Sequence, residues 1–144
     1  MIISMGSDHA GFEQKQQLID YLKGEGYEVV DLGPFSDDRV DYPDYAAKVA
    51  QHVVEGKSRF GVLVCGTGIG MAIAANKIHG IRAANVTSAE FAKLARGHND
   101  ANMITLSGRY VDLETNEEIL DTFLTAEFEG GRHAQRVEKI MMLE

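Results

Sequence analysis

Short apolar runs alternate along the chain with longer stretches whose apolar residues recur at helical spacing. Ile2 to Met5 reads as a buried strand, ended by Gly6-Ser7-Asp8. From Phe12 to Lys23 the positions Phe12, Leu18, Ile19 and Leu22 share a helical face, and Gly24 and Gly26 stop that helix. Val29, Val30 and Leu32 form a second strand, and Gly33 to Asp41 is polar and turn-rich. Pro43 suits the first turn of a helix that runs through Val49 to Val53. Phe60 to Val64 is the third strand and the most apolar. The glycine-rich turn Gly66 to Gly70 leads into a helix over Met71 to Lys77. Arg82 to Val86 reads as a short strand, and Phe91, Leu94 and Ala95 mark a helix that Gly97 ends. Met103 to Leu106 is the fifth strand. Thr115 to Phe128 is a helix burying Ile119, Leu120, Phe123 and Leu124, and Arg132 to Leu143 is a last helix.

Five strands alternating with helices predict an α/β fold, a parallel sheet covered on both faces, with a C-terminal helix. No repeat, low-complexity tract or linker interrupts residues 1–144, so one domain is expected. In such sheets ligands bind beyond the carboxyl ends of the strands, near the point where strand order reverses. The segments Ser7-Asp8-His9, Cys65 to Gly70 and Ser107-Gly108-Arg109 all follow strands, and are expected to converge on one edge.

Charge and composition narrow the function. The 144 residues carry 14 Lys and Arg against 22 Asp and Glu, a net charge of −8. An acidic chain is a poor general binder of nucleic acid or anionic membrane, since both rely on a basic surface. An anionic ligand must be held by a local cationic cluster. The single cysteine, Cys65, excludes an intrachain disulfide and Cys-rich zinc modules. No apolar run approaches the roughly 18 to 20 residues needed to span a bilayer. Asp8 and His9 come too early for a signal peptide, so a reducing cytoplasm is the expected location.

Several segments carry candidate chemistry, and each also has a purely structural reading. Cys65-Gly66-Thr67-Gly68-Ile69-Gly70 offers unpaired amides at a helix start, room for a close ligand and a thiol usable as base or nucleophile. The same segment also reads as a packing turn with an inert buried Cys. Its glycine spacing resembles a dinucleotide fingerprint but follows the third strand, and it lacks the Lys of a P-loop. Asp8 and His9 suit contact with a sugar hydroxyl, or plain turn chemistry. His98-Asn99-Asp100 suits hydroxyl recognition or acid–base work, or a helix cap after Gly97. Arg132, His133 and Arg136 on the last helix suit a phosphate, or a solvated basic face. Asp37, Asp38, Asp41 and Asp44 do not fit an EF-hand loop and read as solvated, so no metal site is assigned.

The blocks Gly6-Ser7-Asp8-His9-Ala10-Gly11-Phe12, Asp41-Tyr42-Pro43, Cys65 to Lys77 (CGTGIGMAIAANK), Gly80-Ile81-Arg82-Ala83, His98-Asn99-Asp100-Ala101-Asn102 and Gly130-Gly131-Arg132-His133 occur in that order. Together they resemble the family of ribose-5-phosphate isomerase B and the allose- and galactose-6-phosphate isomerases, over nearly the whole chain. The resemblance implies a Rossmann-like three-layer sandwich and aldose–ketose interconversion of a sugar phosphate without metal or organic cofactor. It also implies a homodimer or homotetramer whose active sites are shared between chains. Ribose 5-phosphate and ribulose 5-phosphate are the implied pair, through a cis-enediolate, in the non-oxidative pentose phosphate pathway.

Carried over by position, Cys65 is the base that moves a proton between C1 and C2, assisted by Thr67. Relatives without this Cys use a Glu four residues later, where this chain has Ile69. His98 opens the furanose ring and Asn99 binds substrate. Asp8, His9 and Tyr42 line the sugar pocket, with the loop of Gly66, Gly68, Ile69 and Gly70. Arg109, Arg132, His133 and Arg136 hold the phosphate. The alternatives are an allose- or galactose-6-phosphate isomerase and, from another class, a nucleotide-binding module using the glycine loop.

Overall fold

The computed structural model describes residues 1–144. In chain order the elements are β1 (Ile2–Ser7), α1 (Phe12–Gly24), β2 (Glu28–Asp31), α2 (Tyr42–Val54), β3 (Phe60–Cys65), α3 (Ile69–Ala75), β4 (Ala83–Asn85), α4 (Ala89–Asn99), β5 (Met103–Ser107), α5 (Leu113–Thr125) and α6 (Arg132–Met141). The strands pair only in parallel, in the order β2-β1-β3-β5-β4. The chain reverses direction across the sheet at the β1/β3 pair, so the crevice for a ligand opens beyond the carboxyl ends of those two strands.

Alternation along β3 builds the layers. Phe60, Val62 and Val64 pack with Leu18, Ala92 and Phe123 from α1, α4 and α5 on one face. Leu63 and Cys65 pack with Val49 and Met71 from α2 and α3 on the other. All six β3 residues are buried, as a central parallel strand covered on both sides requires. The result is the expected three-layer sandwich, with α6 following α5 at the chain's end.

Several boundaries differ from the periodicity. β1 continues through Gly6 and Ser7, which pair with Leu63 and Val64 of the neighbouring strand; the turn begins only at Asp8. α5 starts at Leu113, where Asp112 accepts the Thr115 N–H at 2.8 Å as an N-cap, and it ends at Thr125 rather than Phe128. α4 does not stop at Gly97. It runs on to Asn99 and ends where Asp100 takes a left-handed conformation (φ 49°). Its buried face is Ala92, Ala95, Arg96 and Gly97, whereas Phe91 and Leu94 point outward, 59% and 37% exposed.

Of the buried charged residues Asp8, Lys15 and Arg96, Lys15 lies deepest. Lys15 of α1 is fully buried, with Nζ 2.7 Å from Asp31 Oδ1 and donating to the Pro34 carbonyl at 2.8 Å. Asp31 Oδ1 also accepts the Gly33 N–H at 2.9 Å. This knot fixes the exit of β2 and the segment that leads on to Val40, whose N–H donates to His9 Nδ1 at 3.3 Å. Removing one partner of a buried pair leaves the other uncompensated. Lys15→Ala is therefore expected to lower the unfolding free energy by about 3 kcal/mol, read from urea melts; a change under about 0.5 kcal/mol, the scale of a surface substitution, contradicts this.

Candidate active site

Cys65 ends β3 with its side chain 5% exposed, on the α2/α3 face of the sheet. Its Sγ accepts the Gly68 N–H at 3.0 Å. Gly68 holds φ 84°, a left-handed conformation that a side chain resists. A Cβ there would stand 2.4 Å from Asn85 Oδ1 and 3.1 Å from the Leu106 carbonyl. Glycine thus lets the loop curl tightly enough to point its amide at the sulfur. Thr67 Oγ1 accepts the Ile69 N–H at 3.1 Å. Two of the loop's amides are therefore engaged within the loop, whereas those of Thr67 and Gly70 make no hydrogen bond inside the chain.

The loops after β1, β3 and β5 are sewn together. Asp8 N–H donates to the Val64 carbonyl at 3.2 Å, Gly108 N–H to the Cys65 carbonyl at 2.8 Å and Arg109 N–H to the Gly66 carbonyl at 3.2 Å. Ser107 Oγ donates to the same Gly66 carbonyl at 2.7 Å. Asp8, 7% exposed, accepts the Gly11 N–H at 2.9 Å, which fixes its carboxylate beside the end of β3. The Arg109 guanidinium lies over Gly66, and the Tyr42 ring lies against Gly70, where any Cβ would come within 2.5 Å of it. Asp8, His9, Cys65, the glycine loop and Arg109 therefore gather on the carboxyl edge, as the sequence pattern anticipated, and Tyr42, named only through the resemblance, joins them.

The other candidates do not join them within the chain. His98 and Asn99 lie in the last turn of α4, which delivers the chain to the amino end of β5. Met103 pairs with Gly61 at that end, and Ser107 with Cys65 at the other. Four residues of strand separate the two edges by about 13 Å. His98 stacks on His133 of α6, ring centroids 4.1 Å apart and planes 12° apart. Its Nε2 lies 3.4 Å from Glu129 Oε2. Partial desolvation, followed by the positive neighbours His98, Arg132 and Arg136, holds His133 below the ordinary imidazole pKa, with Glu129 acting against them. Arg132 and Arg136, both exposed, are on the same helix.

Glu129 was not singled out by the sequence. The one hint was Gly97, since a glycine kept inside a helix marks a close approach. Ligand atoms of His98, Glu129 and His133 all lie within 4.8 Å of one another. A zinc ion needs in-plane nitrogen lone pairs converging on one point at about 2.0–2.1 Å. Stacked rings point theirs side by side, so the arrangement suits proton and anion chemistry better than a cation.

Residues 3–140 match the profile of the Ribose/Galactose Isomerase family. The chain belongs to this family. Ribose-5-phosphate isomerase B of Escherichia coli (strain K12) is 46% identical over 142 residues, covering 99% of this chain and 95% of its own. The solved structure of ribose-5-phosphate isomerase B from Clostridium thermocellum matches with a TM-score of 0.98 at 50% identity, covering 99% of this chain and 97% of that one. That of the Mycoplasma genitalium enzyme, with bound ribulose-5-phosphate, matches with a TM-score of 0.94 at 45% identity, covering 99% and 95%. In this member of the family, the carboxyl edge of the sheet carries the thiol and the amino edge carries the histidine and arginine cluster.

Proposed function

We propose that this chain is a ribose-5-phosphate isomerase, residues 1–144 forming one catalytic domain that interconverts ribose 5-phosphate and ribulose 5-phosphate in the cytoplasm. The observation that carries this reading is the sulfur of Cys65, held by the Gly68 amide at the carboxyl end of β3. No other side chain of the loop can serve as a carbon base; Ile69 stands where some relatives have a Glu. Full-length similarity to enzymes named for this reaction supports the substrate, and the relative with bound ribulose-5-phosphate favours a pentose over a hexose.

The site works as a pair of half-sites in a homodimer. Cys65 and Arg109 sit on one edge; His98, Asn99, Arg132, His133 and Arg136 sit on the other. A two-fold axis places one copy's carboxyl edge against the other's amino edge, and does so twice. The sugar then lies over Cys65, among Asp8, His9 and Tyr42, while its phosphate meets Arg109 and the second copy's arginines. The guanidinium fork matches phosphate oxygens, which gives an acidic protein a local anion trap.

Ring opening comes first. His98 takes the O1 proton as a second group protonates the ring oxygen, and the carbonyl that forms acidifies the C2 proton. The Cys65 thiolate removes that proton to give a cis-enediolate, a proton passes from O2 to O1, and the thiol returns its own proton to C1. The free amides of Thr67 and Gly70 face the developing oxyanion, and such donors are typically worth about 3 kcal/mol each. The Gly68 and Ile69 amides stay on Sγ and Thr67, so the loop divides its donors between base and intermediate.

Cys65→Ala is expected to cut kcat by about 100- to 10,000-fold, the range for a general acid–base group. Calorimetric affinity for ribose 5-phosphate should stay within about twofold, since the sulfur binds no substrate charge. Wild-type turnover by this variant contradicts the assignment. Arg136→Ala is expected to raise KM about tenfold or more with kcat nearly unchanged, as loss of a charged hydrogen bond made equally in ground and transition states. An unchanged KM removes Arg136 from the phosphate clamp.

A further inference from the structure

We infer that Glu129 is a positioning residue for His98, holding the Nε2 edge of its ring and stabilising the imidazolium formed when His98 takes the sugar's O1 proton. The inference rests on the isomerase reading above and adds a residue to it. His98 Nε2 and Glu129 Oε2 are 3.4 Å apart, an ion-pair distance slightly longer than a hydrogen bond. Contacts of this kind tighten when substrate closes the site. The face of the same ring is covered by His133 at 4.1 Å. His98 is thus held on an edge by a carboxylate and on a face by a second imidazole.

The backbone is built to deliver that carboxylate. Glu129 N–H donates to the Gly97 carbonyl at 2.9 Å, anchoring the segment after α5 to the last turn of α4. Gly97 sits mid-turn in a helix, where glycine is a poor choice on propensity alone. Its reason is on the opposite side of the contact. A Cβ at position 97 would stand 2.8 Å from Glu129 Oε2. Glycine leaves the space through which the carboxylate reaches His98.

The charges around the pair agree with this role. His133, Arg132 and Arg136 face the same cluster from α6, and His133 is held below its usual pKa, so it stays neutral beside His98 near pH 7. The new positive charge of the ring-opening step falls on His98, with Glu129 as the one carboxylate at ion-pair distance from its ring. With Nε2 turned to Glu129, Nδ1 is the nitrogen that takes the O1 proton. As it does, the C1–O4 bond breaks, O1 becomes the carbonyl oxygen, and O4 is protonated from water.

Glu129→Gln keeps the shape and removes the charge. Two readouts are compared: steady-state turnover of ribose 5-phosphate, and uptake of deuterium at C1 of ribulose 5-phosphate in heavy water. The second needs Cys65 and the enediolate but no ring opening. The expected result is a 10- to 100-fold lower kcat on ribose 5-phosphate, KM within about twofold, and exchange into ribulose 5-phosphate at the wild-type rate. Glu129→Asp recovers part of the turnover. Gly97→Ala, which displaces the flexible end of Glu129 and meets the Glu127 carbonyl oxygen only at an ordinary 3.8 Å, reproduces the Gln variant while melting no lower than wild type. Exchange that falls in step with turnover, or full turnover by both Glu129→Gln and Gly97→Ala, overturns the inference. Wild-type protein with neither turnover nor exchange overturns the isomerase reading itself, and the role of Glu129 with it.

Discussion

Every strand of this protein points the same way, and that single constraint decides where its chemistry can lie. A parallel ladder sends all strand exits to one edge and all entries to the other. Cys65 and Ser107 are exits, in register with each other, and the loops that follow them meet by backbone hydrogen bonds. α4 returns the chain to the entry edge, so His98 and its neighbours lie a strand's length away from the sulfur. A pentose phosphate that touches both sets must lie between two copies of the chain. The proposed dimer would complete the active site, joining the exit edge of one copy to the entry edge of the other.

A second consequence concerns charge. The chain has a net charge of −8, yet the substrate proposed for it is a dianion. The field of the whole molecule opposes binding, and only local cations reverse it. Arg109 lies over Gly66 on one edge; Arg132 and Arg136 project from α6 on the other. Dividing the arginines between edges keeps each copy from crowding like charges around one spot, and the proposed dimer concentrates them only where two copies meet.

Much of the fold was legible because the core-forming signals are local. Phe60 to Cys65 is apolar without interruption and becomes the central strand; Leu18, Ile19 and Leu22 keep helical spacing and become the inner face of α1. The convergence of Asp8, the Cys65 loop and Arg109 also followed, because strand exits in a parallel sheet share an edge. What escaped the sequence depends on partners distant in the chain. Gly97 reads as a helix terminator until Glu129 is seen to occupy the space its missing side chain leaves. Phe91, Leu94 and Ala95 together mark a helix, but of these only Ala95, with Ala92, turns to the core, while Phe91 and Leu94 are exposed. Nothing in the local spacing marks Lys15 as buried; Asp31 and Pro34, distant in the chain, close over it. Spacing along one segment does not encode such contacts.

The shared site is tested most directly by mixing two inactive chains. Cys65→Ala and His98→Asn variants are purified separately, unfolded together and refolded as a mixture, and ribose 5-phosphate turnover is followed. Random pairing makes half the dimers mixed, and each mixed dimer regains one intact site, so about a quarter of wild-type activity should return. If the mixture stays as inactive as either parent while native mass spectrometry confirms mixed dimers, Cys65 and His98 do not act on the same sugar from different chains.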